Sequence, residues 1–219
     1  MDYADNVGKR FGIGSLFAFG SLLVTSFIIN SVALRFPPIR PFVPTITIFG
    51  PLIGFFISGA VGGASLGMGR NVAVGFGIGF SILGPIFIFI FMERLKLTEN
   101  EMTGVSALLG GFVNAVAYAI YFGVAGAIGS AFMRKGLRFV LTNMKMFAFA
   151  GAFGGAITWI PILSFWVWVL GLIVDRNSAF AAGHVLMMFI GLVIVYALSG
   201  VALGGAVNRL HGVDADASG

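Results

Sequence analysis

Asn114, Tyr118 and Tyr121 fall at i, i+4 and i+7, so an amide and two phenols share one face of any helix that carries them. Such a face could line a polar cavity for a small solute or a headgroup. It could equally bond across to a neighbouring helix, the commoner use of polar groups in lipid. The other polar groups well inside apolar runs are Asn30, Ser58, Thr158 and Tyr196. His184 sits in the first turns of the last apolar run and has no second histidine at matching depth, so it reads as a hydrogen-bonded interfacial side chain rather than a haem or chlorophyll ligand. No mid-span lysine is available for a retinal-type Schiff base.

The acids are Asp2, Asp5, Glu93, Glu99, Glu101, Asp175, Asp214 and Asp216, and all map to termini or to the ends of apolar runs. Buried ionisable groups mark ion pathways and proton relays because they are expensive in lipid, so this distribution argues against an ion-coupled pump. The loop holding Glu93, Glu99 and Glu101 is the nearest thing to an acidic catalytic cluster, and a charged loop of this kind is ordinarily just solvated. There is no serine–histidine–acid set and no metal-ligand cluster. Gly75-Phe76-Gly77-Ile78-Gly79 lacks the lysine of a phosphate-binding loop. With no cysteine, disulfides and thiolate metal sites are also excluded. The expectation is a protein without catalytic residues, metal or cofactor.

The elements that position these residues are set by hydropathy. Hydrophobic residues make up 58% of the 219, charged residues only 10%, and mean hydropathy is +1.03, whereas a soluble domain carries roughly a quarter charged residues. Apolar runs of span length alternate with short charged joints, which defines an all-α polytopic transmembrane bundle. Six spans are expected, with seven as the alternative: about 11–34, 45–69, 71–92, 104–133, 146–174 and 179–207, followed by a disordered tail over 210–219. Residues 1–10 are polar and lead straight into a long span, so no cleavable signal peptide is expected.

Four prolines between Phe36 and Pro44 predict an extended, non-helical connector after the first span, and a basic linker is predicted between Arg134 and Lys145. The run from 146 to 174 is 29 residues long, about 43 Å as a helix, against a hydrocarbon core of about 30 Å. Pro161 stands in its middle among Trp159, Trp166 and Trp168, so the run is either a tilted, kinked helix or a short hairpin hinged at Pro161.

Lys9, Arg10, Arg70, Arg134, Lys135, Arg138, Lys145 and Arg209 fall on one side of six spans. Arg35, Arg40, Arg94, Lys96 and Arg176 fall on the other. That eight-to-five bias predicts a cytoplasmic N-terminus, and exchanging Arg176 and Arg209 in a seven-span arrangement leaves it unchanged. The net charge of +5 is thereby explained without a nucleic-acid partner.

Glycine is the most pronounced compositional signal, at 33 residues. Gly59/Gly63, Gly75/Gly79, Gly151/Gly155 and Gly200/Gly204 each repeat at a spacing of four, which puts both members on one helix face and lets two backbones come close. These faces serve intramolecular packing or are offered to partner helices. Gly59-Ala60-Val61-Gly62 and Gly123-Val124-Ala125-Gly126 each begin eleven residues before an arginine, with a looser third copy at Gly200–Gly204 before Arg209. The pattern fits an old helix-hairpin duplication, or convergence on a common packing motif.

Gly136-Leu137-Arg138-Phe139, an apolar run into Trp159-Ile160-Pro161, then Phe165-Trp166-Val167-Trp168-Val169-Leu170-Gly171-Leu172 and the joint Asp175-Arg176-Asn177-Ser178-Ala179 resemble the second half of Yip-domain membrane proteins. The resemblance covers about half of the chain. It implies a membrane scaffold or trafficking-type protein without enzymatic activity, a hairpin at Pro161, and no catalytic residues. It departs in the first hundred residues and in span number, since that family usually has about five.

Taken together, the residues predict a non-enzymatic multi-pass protein of a plasma or inner membrane: a scaffold, assembly factor or subunit whose partners are lipids and other membrane subunits or itself. The alternative is a carrier or facilitator for a small or amphipathic molecule using the Asn114/Tyr118/Tyr121 face.

Overall fold

The computed structural model describes residues 3–84, 105–157, 169, 172–174 and 176–216. Among these every regular element is helical: α1 Tyr3–Phe27, α2 Val43–Ala64, α3 Arg70–Ile82, α4 Val105–Ala131, α5 Leu137–Ile157 and α6 Arg176–Asp216. Backbone amides that cannot reach water must bond within their own segment, and helices do that without partners. Among the described residues five segments are long and apolar enough to cross a membrane: Tyr3–Arg35, Pro37–Ala64, Gly111–Ala131, Leu137–Ile157 and Phe189–Leu210. The described part of α3 is 13 residues, about 20 Å. The rest of the run expected to reach residue 92, like Pro161 and the hinge assigned to it, lies outside the described residues.

The boundaries differ from the hydropathy reading at four places. First, α1 begins at Tyr3, so Asp5, Lys9 and Arg10 are helical, with Asp5 in the first turn where the helix dipole favours an acid. It continues through a π-turn at Ile28–Val32 to Arg35. Second, the proline connector is a 3₁₀ helix, Pro37–Phe42. Prolines in a first turn lose no bond, because those amides have no intrahelical acceptor. Pro37 and Pro38 do deprive the Ala33 and Leu34 carbonyls of their i+4 donors. Arg40 supplies both: Nε donates to Ala33 O at 3.1 Å and Nη2 to Leu34 O at 3.1 Å.

Third, the stretch expected as a basic linker is the first part of α5, with Lys145 exposed on its outer face. A lysine there keeps its stem on apolar surface while the ammonium reaches the interface. Fourth, residues 210–216 of the expected disordered tail continue α6.

Each helix packs on its chain neighbours, and α6 closes against α1, so the six form a ring. All neighbours are antiparallel, as the facing pairs Gly8–Gly200 and Ala4–Gly204 show for α1 and α6. Tyr3 Oη donates to Leu66 O at 2.9 Å, tying the start of α1 to the α2–α3 turn at the same end of the ring.

The interior is aromatic. Phe11, Phe76 and Phe147, from α1, α3 and α5, meet pairwise with ring centroids 5.6, 6.2 and 6.1 Å apart. Phe55, Phe80, Tyr121, Phe122 and Tyr196 continue the packing, and all are fully or almost fully buried. Large apolar groups also cover the outside, where Phe149 is 74% exposed and Phe112 68%. Rings that size in water would oppose folding; in lipid they cost nothing.

The two tight hairpins, α2–α3 and α4–α5, are built alike. Helix ends Ala64 and Ala131, turn residues Gly67 and Arg134 (φ 67° and 55°), Gly69 and Gly136 (φ 95° and 91°), and helix starts Arg70 and Leu137 are each 67 positions apart. The turn bonds from Leu66 N to Gly63 O and from Met133 N to Ser130 O recur in the same register. This register equates Gly59 with Gly126 and Gly62 with Gly129, three positions from the match read in the sequence. The ring thus consists of two like hairpins and a third antiparallel pair, α6 with α1.

Candidate functional site

A chain of hydroxyls crosses the middle of the ring. Ser58 on α2 donates to Phe55 O at 2.8 Å, one turn back in its own helix. Its Oγ lies 3.0 Å from the Tyr196 hydroxyl of α6. Tyr196 Oη is 3.3 Å from Tyr121 Oη of α4, and Tyr121 donates to Phe80 O of α3 at 3.0 Å. With the Ser58 proton on Phe55 O, Tyr196 donates to Ser58 and Tyr121 to Phe80 O. No proton is then left for the 3.3 Å contact between the two phenol oxygens, which is longer than the usual 2.7–2.8 Å of a hydroxyl pair and brings two bonded pairs side by side. Tyr196 thus ties α6 to α2 and Tyr121 ties α4 to α3, with the two bonds adjacent at the centre.

Local sequence explains why each group is there. Phe80 stands near the C-terminus of α3, which stops at Ile82, and Pro85 follows in the sequence. A proline cannot extend the ladder, so carbonyls near that end need other donors, and Tyr121 is one. Tyr196 stacks on Phe80 (4.5 Å between centroids, 25° between planes) and meets Phe122 edge-on at 5.0 Å, which fixes the phenol. Packing therefore holds the bonding geometry.

The face predicted from spacing is divided. Asn114 turns to α5, with Nδ2 donating to Gly155 O at 3.0 Å. Tyr118, buried, stacks on Phe122 at 6.1 Å, and Tyr121 joins the hydroxyl chain. Asn114 and Tyr121 are thus engaged between helices, whereas the Tyr118–Phe122 stack lies within α4. Asn30 bonds Ser26 O on its own helix.

The eight predicted glycines are placed in pairs, each pair against one neighbouring helix. A Cβ on Gly59 would run into the Phe76 carbonyl, and one on Gly63 would stand 3.0 Å from Ala73 Cα. Gly75 and Gly79 face α4, with Phe132 ring atoms at 2.5 Å and Ala125 O at 2.6 Å from the added carbon. Gly151 would strike the Tyr118 carbonyl, and Gly155 lies 3.0 Å from Ala115 Cα. Gly200 and Gly204 meet Gly8 Cα and Ala4 Cα at 2.9 and 2.8 Å. All eight are enclosed by this chain's own helices.

Among the described residues two buried atoms of the interior have no hydrogen-bond partner: Asn143 Oδ1 on α5 and Ser199 Oγ on α6. By hydropathy alone Asn143 falls in the basic linker. Its spacing from Phe139, Phe147 and Ala150, all on one helical face, is the signal that marks it as interior. The buried polar residues among those described are Ser15, Thr25, Ser58, Ser130, Asn143 and Ser199, with no charged group. Among the described residues no three His, Cys, Asp or Glu side chains gather where they could hold a metal. Chemically the network can hold helices in register. Ser58 has no base in it and so is not activated as a nucleophile.

No family model, curated protein or solved structure matches the chain. Residues 159–161 and 165–168, which carry much of the Yip-domain resemblance, lie outside the described residues.

Proposed function

We propose that this chain is a non-enzymatic membrane protein that works through its outer surface, as a scaffold, assembly factor or subunit of a larger membrane complex. The observation that carries the reading is the filled interior. Phe11, Phe76, Phe80, Phe122, Phe147 and Tyr196 are wholly buried at the centre of the ring, leaving the lipid-facing surface as the working one. Glycine contacts hold the bundle together, and the partners are lipids and other membrane subunits or a second copy. The likeness of the C-terminal half to Yip-domain proteins points to the same class.

In this reading α3 also crosses, giving six spans. The end of the ring bearing Tyr3 and the α2–α3 and α4–α5 turns is cytoplasmic, because the larger share of Lys and Arg lies there. A plasma or inner membrane is the proposed location. Extraction in mild detergent followed by native mass spectrometry tests the role. Co-purifying subunits or a defined oligomer are expected, and a lone monomer after gentle extraction would contradict it.

The carrier reading keeps one supporting observation, the unpartnered Asn143 and Ser199 oxygens of the interior, which suit a small polar guest. Liposome uptake by Asn143→Leu and Ser199→Ala variants tests it. Flux present in the parent and lost in both variants would favour the carrier over the scaffold.

A further inference from the structure

The seam between α1 and α6 opens to the outside as a groove of about 500 Å³. Lys9, Gly12, Ile13 and Leu16 form one face of α1, opposite Phe189 to Ala197 of α6. Gly12 makes the recess: a carbon added there would stand 3.5 Å from Ala197 Cβ, in ordinary contact, so the missing side chain leaves room above two small residues. The only charged group lining the groove is Lys9, at one end and exposed. Among the described residues no carboxylate pairs with it.

We infer that this groove is a binding site for an anionic phospholipid, with acyl chain along the α1–α6 seam and headgroup phosphate on the Lys9 ammonium. Three features select this occupant. From Lys9 to Leu16 the groove runs about 11 Å along the helix, within the roughly 15 Å that one leaflet contributes to a 30 Å core. Apart from Lys9 its lining is hydrocarbon, supplied by Ile13, Leu16, Phe189, Ile190, Val193 and Ile194, so it suits an acyl chain. Finally, a single cation closes an otherwise apolar slot, which complements one negative headgroup; a zwitterionic headgroup would gain less from it. The inference requires a membrane setting but not the scaffold role.

The test uses the full chain in nanodiscs containing phosphatidylglycerol and phosphatidylcholine, with lipid adducts counted by native mass spectrometry. Retention of one phosphatidylglycerol in preference to phosphatidylcholine is expected. Lys9→Gln should cut that preference about fivefold, the worth of one basic residue near an anionic surface. Gly12→Leu, which fills the recess, should reduce adducts of both lipids. Lys145→Gln, on the outer face of α5, should change nothing. Equal adduct patterns for parent and Lys9→Gln, or an equal loss in Lys145→Gln, would overturn the site. So would a dimer that disappears in Gly12→Leu, which would assign the groove to a second copy. If Gly12→Leu does not fold, the comparison of Lys9→Gln with Lys145→Gln still decides.

Discussion

The Tyr196 hydroxyl lies 3.0 Å from Ser58 Oγ, although 138 positions separate the two residues in the chain. That bond joins α6 to α2 through the centre of the ring, where both groups are fully buried. Interhelical hydrogen bonds in membranes are worth about 0.6 kcal/mol on average and up to about 1.7. Tyr196→Phe should therefore lower stability by about 1 kcal/mol, and Ser58→Ala by a similar amount. A double-mutant cycle, read by unfolding in mixed micelles, should return a coupling of at least about 0.5 kcal/mol. Additive losses would mean the contact carries no energy.

The glycines separate into two kinds with opposite expected responses. Gly79→Leu would drive a side chain into the Ala125 carbonyl, a backbone atom that cannot swing away, and should cost about 3 kcal/mol or abolish folding. Gly20 has nothing within 4 Å of an added carbon, so Gly20→Ala should gain roughly 0.5–1 kcal/mol from reduced unfolded-state freedom. Thermal unfolding in detergent would rank the two variants on either side of the parent.

Turn chemistry gives a third expectation from the 67-residue register. Gly69 has φ 95° and ψ 169°, a region open essentially to glycine alone, so Gly69→Ala should cost about 1–3 kcal/mol. Arg134, at φ 55°, occupies the place that Gly67 fills in the first hairpin. Arg134→Gly should stabilise by up to about 1 kcal/mol, since an L-residue there carries a penalty of about 1–2 kcal/mol. Melting curves of the two variants check the sign of each.

Arg40 offers a fourth. Its two donors replace amides that Pro37 and Pro38 lack, so Arg40→Ala should cost about 0.5–1.5 kcal/mol. In a Pro38→Ala background, where an amide facing Leu34 O is restored, the cost of Arg40→Ala should shrink. An unchanged cost, measured by the same unfolding assay, would show that the side chain acts otherwise.

What the sequence made legible follows from the range of each interaction. Helical character and lipid exposure are written in local composition, and the paired spacing of Gly59/Gly63 or Gly200/Gly204 places both members on one face whatever they meet. The spacing of Asn114, Tyr118 and Tyr121 likewise shows a shared face. It does not show that Asn114 turns to Gly155 while Tyr121 turns to Phe80, because the partner depends on ring closure between distant helices. Hydropathy misplaced the start of α5 because Arg138, Asn143 and Lys145 lower its average. The helix nevertheless presents Asn143 inward and Lys145 outward, and only the period of 3.6 distinguishes them. The groove beside Lys9 arises from two faces nearly two hundred residues apart and has no local signature at all.

The closed centre can be tested directly because the chain has no cysteine, so each introduced thiol is the only one present. Single cysteines at Ser58 and Ser199, both fully buried, and at the exposed positions Arg40 and Lys135 would be challenged in sealed vesicles with a membrane-impermeant maleimide. We expect Arg40→Cys and Lys135→Cys to label from opposite sides, and Ser58→Cys and Ser199→Cys to label from neither until the protein is unfolded. Rapid labelling of Ser58→Cys or Ser199→Cys in the folded protein would show a water-filled path through the ring and contradict the account.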